Sequence, residues 1–147
     1  TQQERRMDKR AFVETWYRRV WSEEDLDAID ELMAPTGDIE GLESDQALDA
    51  ETFRAMAGAL LQMVRDVHVT VDHFLEDGDW VSFIMRFSAT CRASGNPVST
   101  QALVMACIRD GQVQKAYNYG DFISLWEQLG KLPQHTMQTC LAGNRVG

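Results

Sequence analysis

The segment KAYNYGDFISLWEQLG, residues 115–130, changes its period partway along. Tyr117 and Tyr119 stand at alternate positions, as on one face of a β-strand. Phe122, Leu125, Trp126 and Leu129 then recur at the spacing of one side of a helix. The change falls at Asp121. We read the last strand of a sheet running through Gly120 and Asp121 into a short helix. If the strand alternation persists, Asp121 shares a face with Tyr117 and Tyr119. Two roles stay open for its carboxylate: a working acid or base in an apolar pocket, or the N-cap of the helix that starts at Phe122.

The residues before this segment alternate too. From Val67 the valines 67, 69 and 71 share one side with His73, and His68, Thr70 and Asp72 share the other. Glu76-Asp-Gly-Asp79 carries the Asp-Gly hairpin signal. Residues 80–91 then place Val81, Phe83, Met85, Phe87, Ala89 and Cys91 on one face. Trp80, Ser82, Ile84, Arg86, Ser88 and Thr90 fall on the other, so one face is buried and one is mixed. Ser94-Gly-Asn-Pro97 and Asp110-Gly111 predict further turns. Between them residues 98–109 are apolar on both faces at their middle, as expected of a strand covered on both sides.

The first third of the chain is helical in pattern. Phe12, Trp16 and Val20 recur at four-residue steps across residues 7–21, with Arg18 and Arg19 on the far side. Ser22-Glu-Glu-Asp25 has the form of a capping box and predicts a second helix carrying Leu26, Ile29, Leu32 and Met33, ended by Pro35 and Gly37. Residues 36–48 read as a loop with at most one short edge strand. Asp49 is the expected N-cap of a third helix with Phe53, Met56, Ala57 and Leu60 on its apolar side.

Composition narrows the function classes. The 147 residues suggest one domain, and 44% hydrophobic residues are ample for a core. The formal net charge of −9, with no basic stripe, argues against nucleic acid and anionic membranes as partners. Three cysteines without CxxC spacing argue against a disulfide framework or a zinc site. The charged start TQQERRMDKR is followed by no apolar stretch of the secretory kind, and no run approaches a membrane span. A cytoplasmic protein is expected. Three helices followed by a four-stranded antiparallel meander make an α+β fold. The mixed outer face, with Trp80, Ile84 and the two-sided strand 98–109, predicts a homodimer through the outer face of the sheet.

Three strings carry a family resemblance: FVETWYRRVWSEEDLDAIDELMAP, ETFRAMAGALLQMVRDVHVTVDHFLEDGDWV and IRDGQVQKAYNYGDFISLWEQLGKLP. In this order and spacing, over roughly residues 10–133, the chain resembles the SnoaL-like polyketide cyclases of the nuclear transport factor 2-like superfamily. The resemblance implies a cone-shaped, curved antiparallel sheet packed on about three N-terminal helices, with a short C-terminal helix. It implies a single domain over residues 1–133; the tail 134–147, QHTMQTCLAGNRVG, carries no pattern of its own and is expected to be mobile. It also implies a cofactor-free, metal-free aldol-type reaction on a hydrophobic carbonyl compound, with the residue matching Asp121 as general acid/base. The chain departs from the family's pattern at Cys91 and Ile84, where a His and a basic residue are usual, and in strand 98–109, which has no His.

On this reading Asp121 is the acid/base, with Tyr117, Tyr119 or His73 assisting. Two roles stay open for His73, whose parity points it inward with the valines: a partner of Asp121, or, as is commoner, a structural histidine at the strand end near the Glu76–Asp79 turn. Tyr117 and Tyr119 hydrogen-bond the substrate carbonyl. Trp16, Met56, Met85 and Met105 line the cone. Arg86 faces outward. The expected function is an aldol cyclase, isomerase or hydratase-type enzyme. A binding protein using the same pocket is the alternative, favoured by the missing His and basic positions. A dimeric interaction module with a filled cone is a third reading.

Overall fold

The computed structural model describes residues 8–147, and the charged start up to residue 7 lies outside them. Helix α1 spans Lys9–Tyr17 and is capped by Asp8, whose side chain accepts from Ala11 N. It continues into a π-helical turn, Arg18–Ser22, closed by Glu23 N–H donating to the Arg18 carbonyl at 2.8 Å. Val13, Trp16, Tyr17, Val20 and Trp21 are all buried. The wider turn brings Trp21 edge-on to both Phe53 and Phe87, with ring centroids 6.3 and 6.1 Å away.

The capping-box expectation at Ser22 does not hold. Ser22 ends the π turn, and α2 starts later, at Asp27 (Asp27–Leu32), with no side-chain cap. The Arg19 guanidinium takes the Asp25 carboxylate instead, at 2.8 Å. Nor does the helix extend through Met33. Residues Met33–Glu40 form strand β1, and Ala47–Leu48 form the short β2. Burial decides this: Met33, Ala34 and Ile39 all enter the core. Pro35 falls where the β1 register shifts, between Met33 and Asp38, so its missing N–H breaks no ladder bond. Gly37 lets the strands close up, because a Cβ there would sit 2.8 Å from the Val113 carbonyl oxygen.

Helix α3 (Ala50–Leu61) begins at Asp49, whose carboxylate accepts from Thr52 N at 2.8 Å, as the sequence predicts. Strands β3 (Val64–Asp77), β4 (Trp80–Cys91), β5 (Pro97–Arg109) and β6 (Gln112–Gly120) follow as antiparallel hairpins. The sheet order is β2-β1-β6-β5-β4-β3, with β1 parallel to β6. The meander is therefore extended by two strands, β1 and β2, where the sequence reading puts the end of a helix followed by a loop with room for one short edge strand. The chain closes with α4 (Phe122–Gln128) and α5 (Thr136–Leu141). The tail, read as patternless, thus holds a short helix, and Met137 N–H in it donates to Glu127 of α4.

This is the expected α+β architecture: a curved open sheet with the helices against its concave face. The core lies between them, with Phe83, Met85 and Phe87 of β4 facing the aromatic side of α1 and α3. Among the described residues no helix is long and apolar enough to cross a membrane. All three cysteines are free.

Candidate functional site

Between the concave face and α1, α3 and α4 lies a cavity of about 210 Å³. Trp16, Tyr17 and Trp21 reach it from the first helix and its π turn, and Phe53, Met56 and Leu60 from α3. Phe83, Met85, Phe87, Val104, Ala106 and Ala116 form the sheet wall, and Phe122, Leu125 and Trp126 of α4 close one side. Trp16 stacks on Phe53 at 5.8 Å. No Asp, Glu, His, Lys or Arg stands among these lining residues.

Apart from the tryptophan ring N–H groups, the polar side chains in the wall are Tyr17, Thr100 and Asn118. The Thr100 hydroxyl is engaged, donating to the Asp121 carbonyl at 2.6 Å. Asn118 is different: its Oδ1 is shut off from solvent and has no hydrogen-bond partner. Burial pushes the Tyr17 phenol well above its ordinary pKa, so its hydroxyl stays neutral and able to donate.

The sequence-predicted residues divide between the two faces of the sheet. Trp16, Met56 and Met85 do line the cavity. Met105 does not: it lies on the outer face of β5, 44% exposed. Tyr117 and Tyr119 also point outward, paired with Met105 and Leu103 of β5. Tyr117 stacks on Trp80 at 6.4 Å, under the Lys115 ammonium, and Tyr119 is 60% exposed. The inward positions of β6 are Val113, Ala116 and Asn118. An irregularity beside Cys107/Ile108 lets Val113 and Ala116, three residues apart, face the same way.

His73 is corrected for the same kind of reason. A bulge between Asp72 and Leu75 puts it in the left-handed region, φ 54°, on the surface. Phe74 takes the inward place and stacks on Phe83. Asp121 lies outside the cavity as well. Its carboxylate is exposed and accepts from Ser124 N at 3.2 Å, the capping role left open by the sequence. It borders a shallow groove on the outer face together with His68, Thr70, Arg86 and Gln101. Arg86 faces outward as expected, held by Asp72 at 2.5 Å and Gln101 at 2.7 Å.

Sequence reasoning missed Tyr17 and Asn118. The available signal was parity with Ala116: a small apolar residue flanked by a lysine and a tyrosine marks the buried phase of β6 better than the aromatics do. Among the described residues no group of three His, Cys, Asp or Glu could hold a metal ion.

The sequence profile of the SnoaL-like domain matches residues 13–116. No curated protein matches the chain. Among solved structures, a candidate polyketide cyclase from Acidithiobacillus ferrooxidans superposes with a TM-score of 0.70 at 18% identity, over 82% of this chain and 93% of that one. A candidate hydroxylase from Streptomyces galilaeus, AclR, superposes with a TM-score of 0.72 at 20% identity, over 86% and 98%. IdmH, a candidate polyketide cyclase from Streptomyces antibioticus, gives 0.69 at 21% identity, over 84% and 99%. At these identities the likeness is one of fold.

Proposed function

The chain belongs to the SnoaL-like domain family, and from that premise we propose that it holds an uncharged, apolar small molecule in its cone as a binding protein. One observation carries this reading. The cavity wall is aromatic and aliphatic, and no carboxylate or imidazole reaches it. Acid–base work on a bound carbonyl compound needs such a group within hydrogen-bond reach of the proton it moves. Asp121 and His73 are both on the outside. A cavity of this size also argues against the filled-cone reading.

The enzymatic reading, a cofactor-free aldol, isomerase or hydratase step, draws support from the family. Within the cavity it would fall to the Tyr17 hydroxyl as donor to a developing oxyanion, with no base beside it.

A homodimer through the outer face is proposed alongside. Leu103, Met105, Tyr119 and Trp80 are exposed side by side on β4, β5 and β6. Charges of both signs flank this apolar centre: Arg86 with Asp72 on one side, Lys115 with Asp38 and Glu40 on the other. A twofold axis through the centre would set such a face against itself without like-charge conflict, so the occupant we assign is a second copy.

Titration with naphthalene, followed by quenching of the cavity tryptophans, tests the binding reading. Saturable quenching is expected. A carbonyl substrate turned over by the native protein but not by Asp121→Asn would overturn it in favour of the enzyme.

A further inference from the structure

We propose that the Asn118 carboxamide selects the ligand: an uncharged compound of about two fused rings, bearing one hydroxyl or carbonyl group that Asn118 hydrogen-bonds. This rests on the reading of the cone as a binding cavity and adds to it a size, a charge and a polar anchor.

Size comes from the volume. An apolar protein cavity of about 150 Å³ takes up benzene. At about 210 Å³ this one has room for roughly one further ring. A four-ring skeleton would not fit inside it. The charge follows from the wall. A carboxylate or ammonium would lose its hydration and find no ionic partner there.

The anchor is the least expected feature. Asn118 as a residue is half-buried, but its carboxamide oxygen is cut off from solvent, and such an atom normally has a hydrogen-bond partner. Asn118 Oδ1 has no partner and no access to solvent, so the free protein carries an unmade hydrogen bond at this point of a wall whose other polar side chains, apart from the tryptophan ring N–H groups, are Tyr17 and Thr100. The amide offers both an acceptor and donors, and a half-turn of its terminal bond presents either end. Its position is rigid. Asn118 sits in β6 opposite Val104, and Gly41, at φ 97°, lets the end of β1 lie close against its backbone carbonyl. A site with a fixed polar atom shielded from solvent disfavours the analogue that leaves that atom unpaired.

The test uses naphthalene, 2-naphthol and 2-naphthoate, read by quenching of Trp16, Trp21 and Trp126, which all border the cavity. The native protein should bind 2-naphthol about tenfold more tightly than naphthalene, one net hydrogen bond's worth. It should bind 2-naphthoate at least about tenfold more weakly than 2-naphthol. Asn118→Leu, close to isosteric, should erase the preference for 2-naphthol over naphthalene, and a cooperative thermal melt shows that the variant folds. Equal affinity for 2-naphthol and naphthalene in the native protein, or an unchanged preference in Asn118→Leu, would overturn the role of Asn118 and leave the cavity standing. Failure of both rings to bind the native protein would overturn the cavity reading and this proposal together.

Discussion

Asn118 and Asp121 stand three residues apart, yet they serve opposite sides of the sheet: Asn118 borders the internal cavity, and Asp121 turns outward to accept from Ser124 N at 3.2 Å. The residue with the more obvious chemistry is thus the structural one. Asp121→Ala removes the cap of α4 and should cost about 1 kcal/mol of stability. Asp121→Asn should be nearly neutral, since Asn caps as well. Denaturant melts check both, and naphthalene affinity should be unchanged in either.

Ala116 lies on the inner face of β6 and borders the cavity. Ala116→Leu adds three carbons where there is space. It should therefore avoid the usual cost of overpacking, roughly 1–3 kcal/mol, and weaken naphthalene binding at least about tenfold. A melt and a quenching titration on the same sample separate the two effects. A variant that still bound naphthalene normally would move the binding site out of the cone.

Arg19 donates to Asp25 at 2.8 Å and to Glu31 at 2.7 Å, and these bonds hold both carboxyls below their ordinary pKa values of 3.8 and 4.5. A carboxyl whose pKa is lowered by folding stabilises the fold above its unfolded pKa. The contribution is lost as pH falls through the folded value. The melting temperature of the native protein should therefore exceed that of Arg19→Gln by its full margin near neutral pH. The margin should shrink below about pH 4 and vanish once both groups are protonated. A margin that stayed constant down to strong acid would mean that the ion pairs contribute nothing.

Leu103 is 58% exposed at the centre of the outer apolar face. With the dimer proposed above, Leu103→Lys places two like charges near the twofold axis. Sedimentation should give twice the chain mass for the native protein and the single-chain mass for the variant, and the melting temperature should rise with protein concentration in the native protein and not in the variant. A native protein that sediments as a monomer would sink the proposal.

Much of the fold was legible because its signals are local. The strict alternation of β4 needs only residues 80–91 to be read, and its buried face is the one expected. The Asp110-Gly111 turn is written in two residues, both at positive φ. Asp49 and Asp121 cap their helices with bonds to amides three residues on. Of the two extra strands, the sequence left room for one short edge strand within 36–48 and did not show β1 from Met33. Pro35 and Gly37 signal a break in any local reading, and β1 exists because Met33, Ala34 and Ile39 bury themselves beside β6.

Sequence alone determined α1, α3, the antiparallel meander β3 to β6 and the helix after Asp121, because hydrophobic period and turn chemistry act over a few residues; the family showed as a resemblance in three strings. Only the tertiary structure decided which side chains meet in the cone. A strand's faces exchange with every single-residue slip, and the irregularities in β3 and β6 arise from how the strands pair across the sheet. One such slip turns His73 out and Phe74 in, and the phase of β6 puts Asn118 where the tyrosines were expected.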